Sequence, residues 1–314
     1  MSEQRVLVIE NPAHLRIDTG RLKIERNGFD HAFVAPHDIA VLCLEHHTIT
    51  LSVAVLRALA EAGAAVLVTD ARHLPCAMQL PLAATGLDAG RLRQQITLDA
   101  SDKRTELWQQ IVAAKLAAQA ASLRVLGRKG ALRLERLSTQ VQPGDKSNAE
   151  GQGARHYWKY LFATAFQRGK EGAEDPVNTR LNYGYAVLRA MIARTLATSG
   201  LNSALGLGHC NAGNAFNLAD DFIEPYRFLV DVHLARDMDA WSEAPDFDSR
   251  AKKSLLGFVR QPVRMAGQDM RLHAAIDATV ASYVRVLEGK GSKLIFPEGV
   301  VVVEDEAWVS TDGA

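Results

Sequence analysis

The chain has 314 residues with 36 basic and 36 acidic side chains. Its net charge is therefore zero, so composition supplies no long-range pull on nucleic acid or an anionic membrane, and any such binding needs a local patch. Its three cysteines, Cys43, Cys76 and Cys210, are odd in number and far apart, which argues against a disulfide framework or a zinc ribbon and fits a reducing cytoplasm. The opening MSEQRVLVIE has no apolar signal core and no run reaches bilayer length, so a soluble, cytoplasmic chain with no membrane partner is expected.

Residues 1–86 read as a small β-rich domain. Arg5 to Ile9 is rich in valine, and Leu15, Ile17, Leu22 and Ile24 alternate about Asp18-Thr19-Gly20, the pattern of a hairpin with one buried face. Further strands are predicted at Ile39–Leu44, Ala64–Thr69 and Cys76–Leu82, with a short helix over Leu51–Ala62 entered from Thr48 or Thr50. His46, His47 and His73 have no carboxylate or cysteine at a ligand spacing and read as loop histidines. Gly86, Asp88 and Gly90 mark a linker.

Residues 87–314 read as a larger, all-α domain, making the whole chain α+β. From Asp102 to Gly127 strong helix formers dominate, with Leu107, Ile111, Ala114 and Ala118 on one stripe. The basic run Arg124, Arg128, Lys129, Arg133 and Arg136 is either a solvated helix face or a phosphate-tracking patch. Ser147-Asn148-Ala149-Glu150 has the form of a capping box, which would occupy Glu150 structurally. Arg155 and Lys159 stand among aromatics on the next helix, a mixture that also suits nucleic acid. A polar loop, Arg168–Asp175, precedes a helix that Asn178 can cap, and Arg180, Arg189 and Arg194 fall off its apolar stripe, toward solvent or DNA.

Gly206–Asp231, GLGHCNAGNAFNLADDFIEPYRFLVD, carries the most chemistry. On a helix, Asp221 and Glu224 lie one turn apart and repel each other unless something positive stands between them. His209 adds a nitrogen donor, and a mixed nitrogen and oxygen set suits Mn2+, Mg2+, Zn2+ or iron. The competing reading is a solvated acidic face beside a loop histidine. Pro225 interrupts the helix just after Glu224. Arg250 to Arg264 is basic, an amphipathic helix is expected from Met270 to Leu287, and the tail past about Lys290 looks like a last strand or extended arm.

Three segments, SNAEGQGARHYWKYLF, LNYGYAVLRAMI and GLGHCNAGNAFNLADDFIEPYRFLVD, together resemble the CRISPR-associated spacer-acquisition integrase and endonuclease family, most closely its type II members. The resemblance implies a metal-dependent DNA integrase that inserts short DNA into a CRISPR array by 3′-hydroxyl attack on a phosphodiester. It implies Mg2+ or Mn2+ held by Glu150, His209 and Glu224, with Asp221 as a supporting acid, and DNA contacts through Arg155, Lys159, Arg180, Tyr183 and Arg227. The partners implied are DNA and a homodimer that joins a small second CRISPR adaptation protein in a heterohexamer. A structure-specific nuclease without integration, or a non-catalytic DNA-binding scaffold, remain the competitors.

Overall fold

The computed structural model describes residues 4–70, 75–81, 88–162, 166–169, 175–236 and 247–300. Its N-terminal part runs β1 (Arg5–Ile9), β2 (His14–Asp18), β3 (Arg21–Glu25), β4 (Ala32–Val34), β5 (Ile39–Leu44), β6 (Thr50–Leu51), α1 (Val53–Glu61), β7 (Ala65–Thr69) and β8 (Pro75–Gln79). The predicted hairpin forms with Asp18 opposite Arg21, and both turn residues, Thr19 and Gly20, take positive φ, as a two-residue hairpin turn matching strand twist requires.

These strands make two four-stranded sheets, ordered β1-β5-β7-β8 and β4-β3-β2-β6. In the first sheet β1, β5 and β7 are parallel and β8 antiparallel. This sheet is covered on both faces, which is why Ile39–Leu44 reads as an unbroken apolar run rather than an alternation. Leu42 and Val66 pack with Leu15, Leu22 and Leu59 in the N-terminal core, while Val41, Cys43, Ala65 and Leu67 join the core of the helices.

The remainder is mainly helical: α2 (Ala89–Asp99), α3 (Asp102–Val125), α4 (Ala131–Gln140), α5 (Ala149–Leu161), α6 (Pro176–Thr198), α7 (Asn217–Ile223), α8 (Phe228–Arg236) and α9 (Ser249–Leu255). β9 (Val263–Met265), β10 (Gln268–Met270), α10 (Leu272–Leu287) and β11 (Gly299–Val300) follow. The α+β order expected from sequence holds, with three short strands, β10-β9-β11, added to the helical part. The boundary expected between 86 and 87 and His73 lie outside the described residues.

Two local expectations change, and the last strand expected past Lys290 forms and is anchored. Asp88, read as linker, caps α2 by accepting from the Gly90 and Arg91 amides, because a carboxylate near a helix start satisfies amides that have no intrahelical partner. Asp175, not Asn178, caps α6, and Asn178 is buried, with its amide side chain engaged by Arg168 and Gln167. The stretch after Lys290 is stitched down: Gln110 pairs with the backbone of Ser292 and Leu294, Ser282 Oγ accepts from Ile295, and β11 pairs with β9.

α6 crosses α8 at Gly184, where an added Cβ would lie 2.5 Å from Val230 Cγ1. In an open helix Gly→Ala gains about 1 kcal/mol. Here the stiff, β-branched Val230 has nowhere to go, so Gly184→Ala should destabilise by about 1–3 kcal/mol in chemical denaturation, with Val230→Ala restoring part of the loss.

Candidate active site

Four segments converge beside the middle of α3: the start of α5, the 206–209 loop, α7 and the 3-10 turn Glu224–Tyr226. The expected capping box at the start of α5 does not form. Asn148 is the N-cap, accepting from the Gly151 amide at 3.1 Å, while the Asp145 carboxylate takes the Ala149 and Glu150 amides at 2.7 and 3.0 Å. A carboxylate outcompetes a serine hydroxyl for the positive end of a helix. Asp145 and Asn148 both adopt positive φ to do this, a local strain that the surrounding structure upholds. With the cap filled from outside, the Glu150 side chain is released and reaches Lys115 Nζ at 2.7 Å.

His209 is fixed by Asp221, which is 0% exposed. Asp221 Oδ1 lies 2.7 Å from His209 Nδ1 and accepts the His209 amide at 2.9 Å; Oδ2 accepts the amides of Leu207 and Gly208. A carboxylate already taking three N–H groups is an acceptor, so Nδ1 carries the proton and Nε2 faces outward as the free donor atom. The hydrogen bond to Asp221 raises the His209 pKa, against burial, and the charges of Asp221, Glu224 and Glu150 add to the rise. The ring is also braced edge-on by Trp108, with centroids 5.8 Å apart. Gly208 permits this approach, since a Cβ there would sit 2.3 Å from the Trp108 ring.

Asp221 and Glu224 thus avoid repulsion by turning to different partners rather than by sharing one cation. Glu224 begins the 3-10 turn, with Pro225 second in it, and Glu224 N–H closes back on the Asp221 carbonyl. Glu224, 6% exposed, has Arg227 Nε at 3.0 Å from Oε1 and Lys115 Nζ at 2.5 Å from Oε2. The lysine stands off the hydrogen-bond direction, so the buried Oε2 has a charge partner but no hydrogen bond. Burial would raise the Glu224 pKa, but Arg227 and Lys115 outweigh it and hold it at about 2. Burial likewise opposes the charge on Lys115, and Glu224 and Glu150 overcome it, so its pKa is raised.

Of the expected ligand residues, Glu150 and Glu224 meet, but on an ammonium: Lys115 bridges the two carboxylates, and their charges are felt at His209. Among the described residues no three His, Cys, Asp or Glu side chains already converge as a ligand group. Lys115 went unread in the sequence although its signal was present, as a lone cation within VAAKLAA. Of the stripe expected on α3, Leu107, Ile111 and Ala118 are buried and Ala114 is half-buried; the buried face is wider than that stripe and also takes in Trp108, Val112, Lys115 and Leu116.

The five residues expected at DNA divide. Arg155 and Lys159 are exposed on α5 and line a cavity of about 530 Å³ with Arg133, Ser147, Gln152 and His156. Arg180 and Tyr183 are interior, at 0% and 1% exposure: Arg180 donates to the Pro176 carbonyl, and Tyr183 donates to Glu45. Arg227 is tied to Glu224 and stacked 4.5 Å over Tyr185, so its charge is directed inward. Arg189 and Arg194 are also engaged, by Asp220 and by Gln4 and Gly63. Helical position alone cannot show that a second element covers the face an arginine occupies.

The family profile described as CRISPR associated protein Cas1 matches residues 6–257. The chain belongs to the Cas1 family. It is 37% identical over 296 residues to the CRISPR-associated endonuclease Cas1 of Neisseria meningitidis serogroup C (strain 8013), covering 94% of this chain and 96% of that protein. Two solved structures share its fold. One is a casposase bound to integration product, with TM-score 0.78, 20% identity and coverage of 93% of this chain and 92% of that one. The other is a Cas6-RT-Cas1–Cas2 complex, with TM-score 0.72, 16% identity and coverage of 93% of this chain and 36% of that one. The Cas1 profile ends before the β9–β11 sheet and the stitched tail.

The depressed Glu224 pKa has a stability consequence of definite sign. The ionised form is favoured in the folded chain, so its contribution is present above the ordinary value of 4.5 and is lost as pH falls toward about 2. The amount at stake is on the order of 3 kcal/mol. Asp231, which accepts from Tyr157 and Tyr185, is raised by burial to about 6 and works oppositely, losing stability as pH rises toward 6. It is common to both proteins, so a denaturation series from pH 5 to 2.5 comparing the parent with Glu224→Gln should isolate a smaller acid-side loss in the variant.

Proposed function

We propose that this chain is a divalent-cation-dependent DNA integrase and endonuclease of CRISPR adaptation, inserting short DNA into the repeat array. In the joining reaction a DNA 3′-hydroxyl attacks a phosphodiester of the repeat, the new P–O bond forms as the old one breaks, and the leaving 3′-oxygen takes up a proton. Water in place of the attacking hydroxyl gives cleavage by the same arrangement.

The observation that carries this reading is that Glu150 and Glu224 meet on one positive charge, that of Lys115, with an oriented His209 close enough to feel both carboxylates. Glu224 Oε2, buried against the Lys115 ammonium, and His209 Nε2, left without the proton by the Nδ1 bond to Asp221, are atoms suited to a cation. Glu150, His209 and Glu224 would hold Mg2+ or Mn2+. When bound, such an ion supplies charge neutralisation at the scissile phosphate and acidifies the attacking hydroxyl.

The chain's own residues supply position. Asp221 and Trp108 set the His209 ring, Asp145 and Asn148 seat Glu150 at a helix start, and Arg227 fixes the Glu224 carboxylate. Arg133, Arg155 and Lys159 offer a basic groove for the sugar-phosphate backbone, which a chain of zero net charge needs locally. The function is further supported by the relative named as an endonuclease and the fold neighbour bound to an integration product. Assembly as homodimers with a small Cas2-type partner in a heterohexamer belongs to the same proposal, as does a cytoplasmic setting; the Cas1–Cas2 neighbour supports the partner. Among the described residues no helix is long and apolar enough to cross a membrane.

The test supplies labelled duplex with free 3′-hydroxyls, a supercoiled repeat-bearing plasmid and the small partner, with Mg2+ or Mn2+. Joined product is expected from the parent chain. His209→Ala should abolish joining and cleavage while costing only about 1 kcal/mol of stability without metal. Cleavage without joining would leave a nuclease alone, and unchanged activity in His209→Ala would make the cluster structural.

A further inference from the structure

Lys115 is the one member of the cluster to which the proposed reaction assigns no task. It occupies the middle of a long helix whose neighbouring positions are apolar, and it is 10% exposed. Its ammonium lies 2.7 Å from Glu150 Oε1 and 2.5 Å from Glu224 Oε2, touching one oxygen of each presumptive ligand. A residue placed only to stabilise the core would not be a lysine. Burying an ion pair among apolar neighbours gains little over a well-packed hydrophobic set. Nor is Lys115 needed to neutralise Glu224 alone, since Arg227 already holds the other oxygen of that carboxylate.

We infer that Lys115 is an internal stand-in for the cation: in the metal-free chain its ammonium holds Glu150 and Glu224 together, and a divalent ion binds by displacing it from at least one of them. The inference rests on the metal reading above. Its physical basis is competition for the same oxygens. Two like-charged carboxylates left alone would repel each other and separate, so the lysine between them keeps them adjacent. A doubly charged ion attracts both carboxylates more strongly than a single ammonium and repels the ammonium itself. Lys115 is thus a positioning residue that preserves the site when empty and sets a threshold for filling it. Arg227 is the fixed cation, and Lys115 the exchangeable one.

Two measurements on the full chain test this. Calorimetric titration with Mn2+ alone should show Lys115→Met binding about tenfold or more tightly than the parent, with Lys115→Arg near the parent. The metal-free melting temperature of Lys115→Met should fall, and Mn2+ should raise it by more than it raises the parent's. Equal or weaker Mn2+ binding in a folded Lys115→Met overturns the inference. Should that variant fail to fold, crystals of the parent chain grown with and without Mn2+ decide the matter. An anomalous peak at Glu150 and Glu224, with Lys115 Nζ withdrawn from one or both, supports displacement. A peak at those residues with Lys115 still bridging both carboxylates overturns it while leaving the metal reading intact. No peak at Glu150, His209 and Glu224 overturns both.

Discussion

Everything near the candidate site follows from the cost of burying carboxylates. Glu224, Asp221 and Asp231 are interior and Glu150 is half-buried, and an ionised carboxylate in a low-dielectric surrounding is tolerated only with a cation or several hydrogen-bond donors. Each finds a different solution. Glu224 takes Arg227 and Lys115, Asp221 takes His209 and three loop amides, and Asp231 takes two tyrosine hydroxyls. The elements that deliver those partners are α3, α5, α6, α8 and the 206–209 loop. Packing of the helical domain is therefore bound up with the electrostatics of its acids, and the geometry of any one of them depends on the others being satisfied.

The same requirement joins the strand-rich part to the helices. Glu45, at the end of β5, is buried and meets Lys252 from α9 and the Tyr183 hydroxyl from α6, with Glu10 3.4 Å from the same lysine. Arg194 adds contacts from α6 to Gln4 and Gly63. Polar groups buried where a covered sheet meets a helix have directional demands that apolar packing lacks, so they fix how α6 lies against the sheet. α6 also carries Tyr185, against which Arg227 stacks. The sheet and the site are thereby linked through one helix.

With zero net charge the proposed nucleic-acid contact has to come from a local patch, and the groove along α5 offers one, with Arg155 and Lys159 a turn apart beside Arg133 from α4. The arginines of α6 serve structure instead: one stacks inside, one pairs with Asp220, one ties down the N-terminal strands. Basic residues on neighbouring helices thus have opposite roles, decided by what covers them.

The linear pattern determined the α+β order, the hairpin at Thr19-Gly20, the long α3 and the presence of Glu150, His209 and Glu224 as chemically suited residues, because periodicity and turn chemistry are local and residue types are simply read. It carried the resemblance to Cas1 for the same reason. Tertiary structure decided what each charge meets. Asn148 and Asp145 rather than Ser147 cap α5, Asp221 turns to His209, Arg180 and Tyr183 go inside, and Lys115 enters between two glutamates. Those outcomes depend on contacts between segments up to 138 residues apart, Tyr183 with Glu45 being one and Lys115 with Glu224 another, and on burial that multiplies electrostatic energies. The buried face of α3 is wider than the expected stripe, and that was enough to hide the lysine, since helical spacing alone does not say how much of a helix other elements cover.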